Sequence, residues 1–150
     1  MKRLMTALLV MLLFSAALAR AEMISILGLK VNMRSGPGTK HAVLWELGRG
    51  YPLKVLDRKG DWLKVTDFEN DVGWVYRKLT VRSPHLIVKV FKDKQRKINI
   101  RSGPGTDYKI VGQAYYGVVF KTLERGHGWV KVQHENGVTG WVNRSLLWGW

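Results

Sequence analysis

Residues 31–39, Val-Asn-Met-Arg-Ser-Gly-Pro-Gly-Thr, return at 98–106 as Ile-Asn-Ile-Arg-Ser-Gly-Pro-Gly-Thr. The spacing of 67 then holds without a gap to Leu79 and Leu146, with 19 identities in 49 pairs. A match of that length at one spacing means two copies of one unit in tandem. Val31/Met33 and Ile98/Ile100 alternate with polar residues, the period of a half-buried strand. Ser-Gly-Pro-Gly then stops the strand. Proline fixes its own φ, and the flanking glycines permit φ > 0. At least one glycine flanking each proline, Gly38 and Gly105 among them, is expected at φ > 0. Such a turn serves either folding alone or the framing of a ligand, and the residues leave both open.

The rest of each copy reads as short strands between turns. After Met23–Leu27, a strand read at 51–56 carries Pro52, which suggests a sheet edge. Residues 42–47 are apolar and fit a strand or a turn. Trp62-Leu63-Lys64-Val65 and Val72-Gly73-Trp74-Val75 follow, then one helical turn at 76–79 and a last strand at 80–82. Copy two repeats this, with a strong hairpin signal at Asn136-Gly137. Its opening strand, 85–91, precedes a basic loop at 92–97 that copy one lacks. Strands about ten residues apart with turn signals argue a small all-β barrel or sandwich. Trp74 and Trp141 read as core. The apolar tail Leu147-Trp148-Gly149-Trp150 reads as a segment docking between the copies.

The first residues have a different logic. Met1-Lys2-Arg3 precedes an apolar run from Leu4 to Leu18, and Ala19-Arg20-Ala21 is a small-x-small site. This is the layout of a cleaved signal peptide over 1–21. The run is short for a bilayer span of about 20 residues, and no second apolar stretch could cross a membrane. The domains are then 1–21, 22–82 and 83–150. Each barrel has roughly 65 residues, near the low end of independent stability. Net charge is +14 at pH 7, and the signal segment carries three of the cations, which leaves +11. Such a charge favours anionic surfaces. Export turns it away from nucleic acid and toward cell wall, lipid headgroups or acidic proteins.

The order Asn-x-Arg-Ser-Gly-Pro-Gly-Thr, Trp-x-Lys-Val, Gly-Trp-Val in both copies resembles the bacterial Src-homology-3-like (SH3b) domain. The resemblance covers 23–82 and 85–148. It implies an all-β fold of two tandem small SH3-like β-barrels. It also implies an exported protein of the periplasm, cell envelope or exterior that binds peptidoglycan or its peptides. Trp62 and Trp129 look like the groove tryptophan of such domains, on which extended peptides lie. The tyrosine of proline-binding grooves is not matched, since Leu79 and Leu146 stand there.

Other candidates follow from the residues. Arg34 and Arg101 point away from Met33 and Ile100. They either bond turn carbonyls or clamp an anion through the planar guanidinium. Tyr108, Tyr115 and Tyr116 replace His41, Gly48 and Arg49. They either form an aromatic surface beside Trp129, which would make copy two the principal binder, or pack against copy one or the loop. No catalysis is expected. There is no Cys for a cysteine-peptidase site, Ser35 and Ser102 sit in the turn motif, and most of the eleven Asp and Glu fall in turns rather than facing across a cleft. His127, His134 and Glu135 have Gly60, Asp67 and Phe68 as counterparts, so they read as solvated loop residues; no metal and no cofactor is expected. The function implied is binding of an envelope component, peptidoglycan or its peptides first. The alternatives are a structural or protein-interaction adaptor that packs on an envelope protein, and a charge-driven polyanion binder.

Overall fold

The computed structural model describes residues 21–150. The signal peptide read at 1–21 lies outside the described residues up to its last residue. No helix among the described residues is long and apolar enough to cross a membrane.

Unit one has strands β1 (Met23–Ile26), β2 (Val31–Arg34), β3 (Val43–Leu47), β4 (Pro52–Lys59), β5 (Trp62–Thr66), β6 (Val72–Tyr76) and β7 (Thr80–Val81). Unit two has β8 (His85–Val88), β9 (Ile98–Arg101), β10 (Ile110–Ala114), β11 (Val119–Arg125), β12 (Trp129–Gln133), β13 (Thr139–Asn143) and β14 (Leu147–Trp148). A 3₁₀ turn precedes β7 and another precedes β14. The antiparallel sheets run β3-β2-β6-β5-β4-β1-β7 and β10-β9-β13-β12-β11-β8-β14, one per unit and identical in topology. Of residues 42–47, Val43–Leu47 form strand β3, with Leu47 in the core.

Each sheet curls on itself. Flat strands lie about 4.8 Å apart, so the two ends of a flat seven-stranded sheet could not share a core. Here Ile26 of β1, Leu47 of β3 and Val75 of β6 belong to one buried cluster. Three devices bend the sheet. Bulges interrupt β4 between Val55 and Asp57 and β11 between Thr122 and Glu124, leaving Leu56 and Leu123 exposed. β2 meets β6 at a single pair, Arg34 with Trp74, and β9 meets β13 only at Arg101 with Trp141. Glycine stands at that crossing in both units. A Cβ on Gly73 would lie 2.6 Å from Met33 Cγ, and one on Gly140 would lie 2.6 Å from the Arg101 carbonyl oxygen.

Packing follows the repeat. Val31, Met33, Leu63, Val65 and Val75 have Ile98, Ile100, Val130, Val132 and Val142 at the same spacing, and all ten are buried. Two positions trade volume: Leu47 and Leu53 become Ala114 and Phe120. The one buried side-chain polar atom without a partner among the described residues is Thr122 Oγ1. Val55 stands at its counterpart position.

Three expectations need correction. Trp74 and Trp141 are half-buried on the outer face, because Gly73/Val75 and Gly140/Val142 take the inward positions of their strands. Pro52 is not on a sheet edge: β4 lies between β5 and β1, and proline is tolerated there as the strand's first residue. The tail is held mainly by unit two, and only Gly149 borders the junction with unit one. Leu147 is in unit two's own core, β14 pairs with β8, and Trp150 lies under the guanidiniums of Arg144 (4.2 Å) and Arg125 (5.4 Å).

The units join through a three-residue connection between β7 and β8. Ser25 of β1 and Ile87 of β8 face out of their own cores yet are buried, and the Ser25 hydroxyl donates to the Ser83 carbonyl at 2.8 Å. At one side of the junction Phe68 packs against Tyr116, with ring centroids 5.3 Å apart and the planes tilted by 51°. Glu69 accepts from the Tyr116 hydroxyl and pairs with Lys92 at 2.8 Å. The turn that presents Phe68 is held by buried Asp67, which accepts from the amides of Glu69 and Asp71 and, at 3.0 Å, from the Tyr51 hydroxyl. Burial, and then the Asp67 charge, pushes the Tyr51 phenol well above its ordinary range.

Two outcomes are expected in urea denaturation. Gly73→Ala and Gly140→Ala should each cost about 1–3 kcal/mol by overpacking. The larger loss should fall at Gly140, where the clash is with backbone rather than a movable methionine. Thr122→Val should gain about 1 kcal/mol, since it removes an unpaired buried hydroxyl. An unchanged midpoint for both glycine variants would refute the crossing as the tight point of the fold.

Candidate paired grooves on the two barrels

The repeated turn is built the same way twice. The Ser35 amide bonds the Ala42 carbonyl and the Ser102 amide bonds the Lys109 carbonyl, each at 2.9 Å. Arg34 Nη1 donates to the carbonyls of Thr39 (3.1 Å) and His41 (2.9 Å); Arg101 Nη1 donates to those of Thr106 (2.9 Å) and Tyr108 (2.8 Å). The arginine therefore staples the turn in both units. A guanidinium has five N–H donors, and the others have no protein partner among the described residues.

None of the four glycines flanking Pro37 and Pro104 has φ > 0, which corrects the sequence expectation. The residue before a proline is steered to extended backbone. Glycine is required instead by contact. A Cβ on Gly36 would lie 2.4 Å from the His41 ring, and one on Gly103 would lie 2.4 Å from the Tyr108 ring. Gly38 and Gly105 leave ordinary van der Waals room, 3.6 and 3.4 Å from the same rings. Positive φ occurs in other turns, including Gly50, Gly60 and Gly137.

Each turn borders a groove. In unit one the groove holds about 530 Å3 and is lined by Trp62, Tyr76, Arg34, Asn32, Thr39 and Lys30, with Leu79 at its foot. In unit two it holds about 310 Å3, and Trp129, Asn143, Arg101, Asn99, Thr106 and Lys97 occupy the same six positions. The two grooves are one site made twice, with a tryptophan and an arginine at matched places. Elements position them simply: β2 supplies the asparagine and arginine, β5 opens on the tryptophan, and β6 ends on Tyr76.

The copies differ at two points. Tyr76 is the cross-strand neighbour of Trp62, with ring centroids 5.5 Å apart, so the two form a continuous aromatic ledge. Asn143 is turned to the 3₁₀ turn instead and accepts from the Ser145 amide (2.9 Å) and hydroxyl (2.7 Å). Unit two also has nine residues between β8 and β9 where unit one has four between β1 and β2. This longer loop brings Phe91 into the groove, with the Arg96 guanidinium 4.0 Å above its ring. Phe91 holds φ 61, a left-handed conformation uncommon for a bulky residue.

Tyr108, Tyr115 and Tyr116 do not line the groove of Trp129. Tyr108 lies on Gly103, Tyr115 sits under Lys97 at 4.8 Å, and Tyr116 is part of the junction with unit one. The case for unit two as the principal binder loses its structural basis, because the one aromatic ledge belongs to unit one. Tyr76 and Phe91 were missed from the sequence. Tyr76 was legible as the residue opposite Trp62 once the β5–β6 hairpin is drawn, but Phe91 was not.

Residues 28–81 match one bacterial SH3 domain family and residues 97–147 match a second family of the same description. The chain belongs to the bacterial SH3 domain family, with two copies in tandem. It is 26% identical over 124 residues to the candidate N-acetylmuramoyl-L-alanine amidase YrvJ of Bacillus subtilis (strain 168), covering 79% of this chain and 24% of that protein. It is 46% identical over 55 residues to serine/threonine-protein kinase D of Synechocystis, covering 33% of this chain and 11% of the kinase. The chain thus spans about a quarter or less of these relatives' lengths. Among solved structures, NlpC2 of Trichomonas vaginalis aligns at TM-score 0.37 and 13% identity over 84% of this chain and 47% of that one. An NlpC/P60 family protein of Bacillus cereus aligns at TM-score 0.35 and 16% identity over 85% and 56%.

Alanine scanning of the turn should separate its two glycines. Gly36→Ala should lower stability by about 1–3 kcal/mol through the clash with His41, while Gly38→Ala stays near wild type. Equal losses at both positions in thermal unfolding would contradict the contact explanation.

Proposed function

We propose that this chain is an exported, non-catalytic tandem module that binds peptidoglycan or its peptides through the paired grooves. The observation that carries it is the duplicated constellation: a half-buried tryptophan, an arginine with donors to spare and an asparagine, at equivalent positions on both barrels. A tryptophan face suits a sugar ring or an extended peptide, and a guanidinium suits a carboxylate. The family assignment and the amidase relative's name support a cell-wall setting. The absence of any cysteine supports a binding role beside a hydrolase rather than a cysteine-peptidase site of its own. Unit one is the stronger binder in this reading, through the Trp62–Tyr76 ledge.

One feature favours a second reading, a protein-interaction adaptor. β3 is the terminal strand of its sheet, and Val43, Leu44 and Trp45 on it are 49%, 44% and 53% exposed. Such an edge can accept an added strand.

Sedimentation with purified sacculi separates these. Under the groove reading, binding persists at high salt, where exposed charges are screened. Trp62→Ala should then weaken it by about thirty-fold, or ~2 kcal/mol, with a smaller loss for Trp129→Ala. Binding that vanishes in salt would point to charge alone, and no binding at either salt would leave the adaptor reading.

A further inference from the structure

A cleft of about 730 Å3 lies between the units. It falls in the range of small-ligand sites, which occur preferentially between domains. The turn between β3 and β4 of unit one (Gly48, Arg49) and the turn between β12 and β13 of unit two (His134, Glu135) form facing walls. The Phe68–Tyr116 contact joins the corresponding elements with the units exchanged. Arg49 is the counterpart of Tyr116, and Glu135 of Phe68. One side of the junction is closed by two rings in tilted contact. The equivalent side carries Arg49 and Glu135, and none of the ion pairs among the described residues includes either of them or Lys121.

The copies also explain why space exists there. In unit one, Tyr51 bonds Asp67 and Phe68 packs 6.2 Å from the Tyr51 ring. Unit two has Val118, His134 and Glu135 at those places. The smaller Val118 and the missing ring leave the place open. His134 nevertheless keeps Asp67's role in the turn: its Nδ1 accepts from the Asn136 amide at 3.2 Å. The neutral ring must then carry its proton on Nε2, as a donor. Lys121 enters from β11 and Arg49 from the other unit, and His85 also lines the cleft.

We propose that this cleft is an oxyanion site, which takes a phosphate or carboxylate group between Arg49 of unit one and Lys121 and His134 of unit two. Two cations of different shape, in no ion pair among the described residues, and one imidazole line it, against a single carboxylate, Glu135. Charge-assisted bonds from such groups are the strong kind. The site exists only when both barrels are present, so it is independent of either groove.

The test is calorimetric titration of the chain with sodium phosphate and, separately, sodium acetate, at ionic strength held constant with sodium chloride. Saturable binding of at least one anion is expected, and the tighter one identifies the group. Arg49→Ala and Lys121→Ala should each weaken it by about tenfold. Glu135→Gln should strengthen it, and Trp62→Ala should leave it unchanged even where sacculus binding is lost. Melting temperature checks folding, with Arg49→Gln and Lys121→Gln as substitutes if alanine destabilises. Heat no greater than that of the chloride control, insensitivity to both cation variants, or weaker binding by Glu135→Gln would each overturn the proposal.

Discussion

The close approach of β2 to β6, and of β9 to β13, is what the rest of each barrel depends on. At that point one residue pair joins the strands, and glycine is the residue that lets backbone meet backbone and core side chain. The crossing turns a meander of antiparallel strands into a closed core. It also brings the arginine of β2 to the same outer face as the tryptophan of β5 and the end of β6. The groove is therefore a consequence of closure, since its walls come from strands that a flat sheet would keep apart.

The turn motif has one physical job done by three kinds of residue. Proline stiffens the loop, the arginine bonds its carbonyls, and glycine makes room for the ring of His41 or Tyr108. The functional reading and the structural reading of Arg34 and Arg101 are compatible. One nitrogen of each guanidinium is spent on the turn, and the plane it fixes borders the groove. A lysine there would have neither the fork nor the fixed plane.

Duplication did not produce two equal units. The same positions carry Tyr76 and Asn143, Tyr51 and Val118, Phe68 and Glu135. Each exchange shifts a contact: a ledge becomes a cap, and a filled corner becomes a cleft. The joint itself is asymmetric in the same way, with two aromatic rings in contact at one side and, at the other, charges in no ion pair among the described residues.

The tandem architecture and the succession of strands and turns along each unit could be read from the chain alone, whereas the place of Trp62 and Trp129 in a groove followed only from the family resemblance. The first two rest on local chemistry: alternation marks strands, turn residues mark their ends, and a 67-residue repeat marks the copies. What remained hidden depends on which surfaces meet after folding. The glycines of the turn looked like positions of positive φ, and only the distance to the His41 and Tyr108 rings shows that they answer a contact instead. The residues left Tyr116 either on a binding face or packed against copy one or the loop, and the structure decides for packing, on Phe68 of unit one. Phe91 gave no signal, because a loop's path across a groove is set by long-range closure rather than by its own residues. Sequence spacing decides which residues are neighbours along a strand, but the bend of the sheet and the docking of two barrels decide which become neighbours in space.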